Sequence, residues 1–260
     1  MSKMVDAVVL AGSVNNGKLR AISDVPYDAL LPIGSKFMIE YVLEALLRAR
    51  LVNRVIVAGP GNDPSQYLNK LLSNRNNRVK TAPAGASLME TFSSGVALLP
   101  GAERVLVVTA DLPLLTPEAV DCFIELCLEE AADLFYPIIS REAVERCYSK
   151  THRTYVTLRE GVYTGGNIFL VNPSAAKTCL HKGQEIVNLR KSPFKLCRLV
   201  GFMFLLRFLT KTLSLEEGER KVSSLLGIKG RVIVLDYPEV GVDVDKPEDL
   251  ELVKQVLGVV

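Results

Sequence analysis

Arg104-Val105-Leu106-Val107-Val108-Thr109-Ala110-Asp111-Leu112-Pro113 is a run of apolar, mostly branched residues that stops at a carboxylate. From Arg104 to Thr109 it shows no polar alternation, as expected for a strand covered by helices on both faces. Val5 to Ala11 and Arg54 to Ala58 read the same way. Between these runs the apolar spacing turns helical. From Met38, residues Ile39, Val42, Leu43, Leu46 and Leu47 recur at intervals of three and four. Pro64 to Leu72 and Ser87 to Leu99 also read as helices, and Pro117 opens another at its favoured first position, with Thr116 placed to cap it. Strand and helix in alternation predict the α/β class: a single doubly wound, mostly parallel sheet with helices on both faces.

The middle of the chain is less regular. Leu134 to Ile139 and Ile168 to Val171 read as strands, with Thr154 to Leu158 between them and Thr164-Gly165-Gly166-Asn167 as a polar loop. Pro173 to Leu226 reads as a helical insertion before the last strand, Val232 to Leu235, with Ser214 as a helix cap. No repeat or Pro/Gly/Ser-rich linker interrupts the 260 residues, so one domain spanning 1–260 is expected.

Composition narrows the partners. A formal net charge of +2 carries no electrostatic footprint for nucleic acid. Five cysteines with no C-x-x-C pair and only two histidines argue against zinc and against a disulfide framework. The N-terminus lacks a signal-peptide pattern, and the longest apolar stretch, Leu199 to Leu209, is broken by Arg207. A membrane span needs roughly 20 apolar residues. The chain is therefore expected to be cytoplasmic, with no membrane partner. The apolar side chains of Phe202, Phe204 and Phe208 suit a homodimer face as well as a core.

Three segments carry candidate chemistry. Asp111 sits where a buried strand runs out, and in open parallel sheets ligands bind beyond the carboxyl ends of the strands. In Gly241-Val242-Asp243-Val244-Asp245-Lys246-Pro247, Asp243 and Asp245 point the same way if the segment is extended. Mg²⁺ is usually held by one or two carboxylates plus substrate phosphates, and Asp111 and Asp245 could supply them. Asp245 could equally cap the helix from Pro247. The third segment follows the first strand: Gly12-Ser13-Val14-Asn15-Asn16-Gly17-Lys18-Leu19-Arg20, a glycine-bearing basic loop suited to phosphate but matching neither the Walker nor the dinucleotide spacing. Lys191, Lys195 and Arg198 would share a helix face, either as an acceptor-phosphate clamp or as a solvated surface.

Val8-Val9-Leu10-Ala11-Gly12 with its basic loop, then Ala29-Leu30-Leu31-Pro32-Ile33-Gly34-Ser35-Lys36 and Met38-Ile39-Glu40-Tyr41, resembles the signature of sugar-phosphate nucleotidyltransferases. The resemblance extends to the molybdenum-cofactor guanylyltransferase-like branch, and the Asp111 and Asp245 motifs fall in that family's order. It implies the nucleotide-diphospho-sugar transferase fold and Mg²⁺-dependent transfer of a nucleotide from a nucleoside triphosphate to a small phosphorylated or hydroxylated acceptor, with release of pyrophosphate. It implies metal on Asp111 and Asp245, with Asp243 adjacent. The nucleotide would lie on Leu10, Ala11, Gly12, Ser13, Gly85, Ser87 and Ala110, and the acceptor near Gly165, Gly166 and Asn167. Lys18 and Arg20 would stabilise the leaving pyrophosphate.

Two positions depart from the family. Ser13 replaces a second glycine, and Asp28 stands where a basic residue commonly precedes Ala-Leu-Leu-Pro-Ile. Asp28 could remove catalysis, bind metal, or be turned outward with Lys36 substituting. A nucleotide-binding sensor and a glycosyltransferase using the Asp243/Asp245 pair are the competing readings.

Overall fold

The computed structural model describes residues 4–59, 78–149, 151–176 and 201–259. In chain order the strands are β1 (Val5–Leu10), β2 (Pro32–Ile33), β3 (Lys36–Phe37), β4 (Val52–Gly59), β5 (Val79–Pro83), β6 (Val105–Thr109), β7 (Leu134–Ser140), β8 (Val156–Leu158), β9 (Gly161–Gly165), β10 (Ile168–Val171) and β11 (Gly230–Val234). The main sheet runs β5-β4-β1-β6-β10-β7-β9-β8, and β11 also pairs with β7. Neighbours from β5 to β6 are parallel, as is the β11–β7 pair, while β10, β9 and β8 add antiparallel pairings. The fold is α/β with a mixed, mostly parallel central sheet, as the alternating pattern predicts.

Burial on both faces explains why the central strands read so plainly. Ala7 and Val9 of β1, Val55 and Val57 of β4, and Leu106 and Val108 of β6 pack on the side of helices Met38–Arg48 and Pro117–Leu128. The alternate residues Val8, Leu10, Ile56, Ala58, Val105 and Val107 face helix Leu88–Ala97. That helix approaches closely because it carries Gly95, where a Cβ would lie 2.6 Å from Val8 Cγ1. Thr116 and Ser214 both cap their helices as expected, accepting from the N–H groups of Ala119 and Glu217 at 3.2 Å each.

The structure revises the irregular regions. Strands β5 and β9, the β2–β3 ribbon and helix Arg141–Cys147 were not expected. Thr164 and Gly165 are not loop residues but end β9. Strands β9 and β10 run along β7 as one bent antiparallel ribbon. Ile138 pairs with Gly165 and Phe135 with Leu170, so three steps on β7 are matched by five on the other side. The excess falls at Gly166 and Asn167, a bulge that lets β10 turn to pair with β6 while β9 stays on β7. This parting of β9 from β6 opens a crevice at the carboxyl end of β6.

The expected helix Pro64–Leu72 and the basic run containing Lys191, Lys195 and Arg198 lie outside the described residues. Of the apolar insertion, helix Phe202–Leu209 exposes Met203, Leu206, Phe208 and Leu209. Among the described residues no helix is long and apolar enough to cross a membrane.

Candidate active site

A third apolar cluster assembles the chemistry. It joins Leu19 of the basic loop, Leu114 after Asp111, Val242 and Val244, and Leu250 and Val253 of the closing helix Pro247–Leu257. Because Val242 and Val244 are buried, the alternate residues Asp243 and Asp245 project to the other side, into the crevice. The N–H of Val244 donates to the Asp111 carbonyl at 3.0 Å, which stitches the two acidic segments together. Asp111, Asp243 and Asp245 each offer an oxygen, all within 4.8 Å of one another.

Such crowding is costly. At an effective dielectric near 20, two unit charges that close repel by about 3 kcal/mol or more. Burying Val242, Val244 and Leu250 contributes about 1.5–3 kcal/mol each, which offsets part of the repulsion among the three. Its trace is in the acidities. Burial, then Asp243, pushes the Asp111 carboxyl up to about 7. Asp245 rises to about 6 for the same two reasons, in the same order. Asp111 Oδ1 is buried without a hydrogen-bond partner. An orphaned oxygen in a cluster of hard carboxylate donors fits a divalent cation with oxygen preference.

Asp243 is differently placed. The Arg153 guanidinium pairs with its Oδ1 and also donates to its backbone carbonyl at 2.5 Å. Asp245 does not cap the closing helix: the cap position is Lys246, with no side-chain bond, and the Asp245 N–H instead donates to Asp249 Oδ2 at 3.2 Å.

The crevice, about 620 Å³, is lined by Lys18, Tyr136, His152, Arg153, Asn167 and Lys246 beside Asp243 and Asp245. Gly165 lines it as well, and a Cβ there would lie 1.7 Å from Tyr136 Oη, so any side chain must displace that ring. At Gly166 a Cβ would meet Val240 and Pro137 within 2.9 Å. The Asn167 carbonyl accepts from the Thr109 N–H at 3.3 Å, tying the bulge to the end of β6. Thus Lys18, Gly165, Asn167, Asp111, Asp243 and Asp245 come together. A larger hollow of about 910 Å³ opens at the other ends of β6 and β7, around Arg104, Asp133 and Lys229. It holds no metal-type cluster among the described residues.

The segments expected to frame a nucleotide also meet. The N–H of Ala110 donates to the Leu10 carbonyl at 3.2 Å, and Ala11 donates to the Ala58 carbonyl at 2.8 Å. A Cβ at Gly12 would touch the Ala84 side chain at 2.9 Å, so the loops after β1 and β5 lie against one another. Gly85 donates to Thr91 Oγ1 at 3.0 Å, while Ser87 caps helix Leu88–Ala97.

Two expected cations point elsewhere. Arg20 folds onto its own loop, pairing with Asp24 at 3.3 Å. Lys36 pairs with Glu44 at 2.7 Å and lies over the Tyr41 ring. The two family departures, Ser13 and Asp28, bond to each other, the hydroxyl donating to Asp28 Oδ2 at 2.7 Å.

The model of the MobA-like NTP transferase domain matches residues 28–178. This chain belongs to that family. A hypothetical transferase from Thermus thermophilus is 40% identical, with 95% of this chain and 99% of that one aligned and a TM-score of 0.78. The fold is shared with 4-diphosphocytidyl-2C-methyl-D-erythritol synthase from Anaerococcus prevotii (13% identical, covering 99% and 97% of the two chains, TM-score 0.60). It is shared too with a CMP:2-keto-3-deoxy-manno-octonic acid synthetase solved with CTP (16% identical, 99% of each chain, TM-score 0.60). No curated protein matches the sequence. The MobA-like match begins at Asp28 and ends before β11, so both the basic loop and the Asp243–Asp245 segment lie beyond it.

Proposed function

We propose that this MobA-like chain is a Mg²⁺-dependent nucleotidyltransferase that moves a nucleoside monophosphate from a triphosphate to a small phosphorylated or hydroxylated acceptor. The observation that carries this reading is Asp111 at the end of β6, with its Oδ1 buried and unpartnered and its carboxylate within 4.8 Å of those of Asp243 and Asp245. Asp111 and Asp245 would hold the cation, which supplies charge neutralisation on phosphate oxygens. The acceptor oxygen bonds to the α-phosphorus as the bond to the β-phosphate oxygen breaks. Pyrophosphate leaves, and a hydroxyl acceptor also gives up its proton. The chain's work is positioning and charge. Leu10 to Ser13, Ala110 and the Gly85–Ser87 turn frame the nucleotide, Lys18 meets the leaving phosphates, and Gly165, Gly166 and Asn167 border the acceptor.

Asp28 would favour a binding-only protein if its carboxylate faced the phosphates. Its carboxylate is instead engaged by the Ser13 hydroxyl on the loop itself. A glycosyltransferase would use Asp243 and Asp245 as a pair, and the engagement of Asp243 by Arg153 disfavours this.

The test is pyrophosphate release from ATP, GTP, CTP and UTP, with and without Mg²⁺, against a panel of sugar phosphates and cofactor precursors. Release with one triphosphate, dependent on Mg²⁺ and lost in Asp111→Asn, is expected. Tight binding without release points to the sensor. Failure to bind any triphosphate rules the proposal out.

A further inference from the structure

Arg153 is the most heavily engaged side chain of the crevice, and nothing in the transfer chemistry above uses it. Its side chain is 8% exposed although it lies in an irregular segment between helix Arg141–Cys147 and β8. One guanidinium nitrogen takes Asp243 Oδ1. The other takes the Asp243 carbonyl at 2.5 Å and Asp249 Oδ1 at 3.4 Å. Nε donates to Thr151 Oγ1 at 3.1 Å, so all three nitrogens are in use. Asp249 in turn holds the backbone N–H of Asp245. The guanidinium therefore grips the acidic segment at Asp243 directly and at Asp245 through Asp249. A lysine, with one point of charge, could not span these acceptors.

We infer that Arg153 is a positioning residue that withholds Asp243 from the cation and leaves Asp111 and Asp245 as the facing ligand pair. The inference rests on the transferase reading. A carboxylate committed to a buried guanidinium has given up one oxygen to that pair. Asp111 Oδ1, by contrast, is buried without a hydrogen-bond partner. The cluster thus holds three carboxylates of unequal standing: two for the metal, and one that ties the segment to the body of the protein.

The test is Mn²⁺ binding to the full chain, followed by electron paramagnetic resonance, with melting temperatures as a check on folding. Asp111→Asn and Asp245→Asn each weaken Mn²⁺ binding by about 100-fold or more, whereas Asp243→Asn, which leaves the Arg153 charge uncompensated nearby, weakens it by no more than about tenfold. Arg153→Met frees Asp243 as a third ligand and tightens Mn²⁺ about tenfold, as one added charge a few ångströms away would. The double variant Arg153→Met/Asp243→Asn returns to within about threefold of wild type, which a purely structural arginine would not produce. If Arg153→Met does not fold, Asp243→Asn alone decides: a loss equal to that of Asp245→Asn overturns the inference and leaves the transferase reading standing. Unchanged Mn²⁺ affinity in a folded Arg153→Met also overturns it. A wild-type chain that binds no Mn²⁺ overturns both.

Discussion

Ser13 Oγ donates to Asp28 Oδ2 at 2.7 Å, and the N–H of Asp28 donates to the Ser13 carbonyl at 3.1 Å. Two residues that each break the family pattern thus complete one another. The serine supplies the donor that turns the carboxylate onto the loop. Asn15 closes the same loop from within, its amide donating to the carbonyls of Ser23 and Val25.

Removing the donor should therefore hurt more than removing the acid. Ser13→Ala leaves Asp28 charged and unpaired beside the phosphate loop, and should raise the KM for nucleoside triphosphate about three- to tenfold with little change in kcat. Ser13→Ala/Asp28→Asn should recover most of that loss. Steady-state pyrophosphate release measures both, and equal KM values in Ser13→Ala and wild type would refute the pairing.

Cation binding should depend on pH. Burial and the crowding by Asp243 push Asp111 up to about 7 and Asp245 up to about 6, so a proton competes with the metal below neutrality. Apparent Mg²⁺ affinity should rise steeply between about pH 5.5 and 7 and flatten above pH 8. Calorimetry across that range checks this. A flat profile would show that neither carboxyl is a ligand.

The same shift fixes a sign for stability. Asp111 binds its proton up to about pH 7 when folded but only up to the ordinary 3.8 when unfolded. The metal-free protein should then lose stability as pH rises from about 4 to 7, because the folded state carries a proton that the unfolded state has shed. Asp111→Asn should melt several degrees above wild type at pH 8 without metal, and the gap should close towards pH 4. Thermal melts in chelator measure the difference, and a destabilised Asp111→Asn at pH 8 would contradict the burial argument.

Gly165→Ala should be poorly tolerated because its Cβ would fall on the Tyr136 hydroxyl. Overpacking of this kind costs about 1–3 kcal/mol. Gly165→Ala/Tyr136→Phe should regain part of it, since Cζ, at 2.8 Å, still crowds the new methyl. Denaturant midpoints test the pair, and additive effects would mean that the ring simply moves aside.

What could be read without coordinates follows burial. Strands β1, β4 and β6 are covered on both faces, so hydrophobicity alone marks them. Strand β5 is an edge strand whose Lys80 and Thr81 are exposed, and β9 is short and half-buried, so neither leaves an apolar run. Asp111 and Asp245 were legible because each follows buried residues. The Arg153–Asp243 pair joins residues 90 positions apart, and no local pattern connects them. Arg20 and Lys36 look like phosphate ligands in a bare sequence, since charge is visible there and the nearby Asp24 and Glu44 that engage them are not recognised as partners.

The apolar cluster of Leu19, Leu114, Val242, Val244, Leu250 and Val253 has a mechanical meaning. The gap between the acidic segments is gauged by hydrocarbon, which neither ionic strength nor protonation resizes. Charge can come and go on the crevice side while the jaws keep their spacing. Residues on the rim, such as Tyr136, His152 and Lys246, stand outside that gauge. A chain built this way can be re-tooled for a different acceptor by changing its rim, with the span of its jaws left as it was.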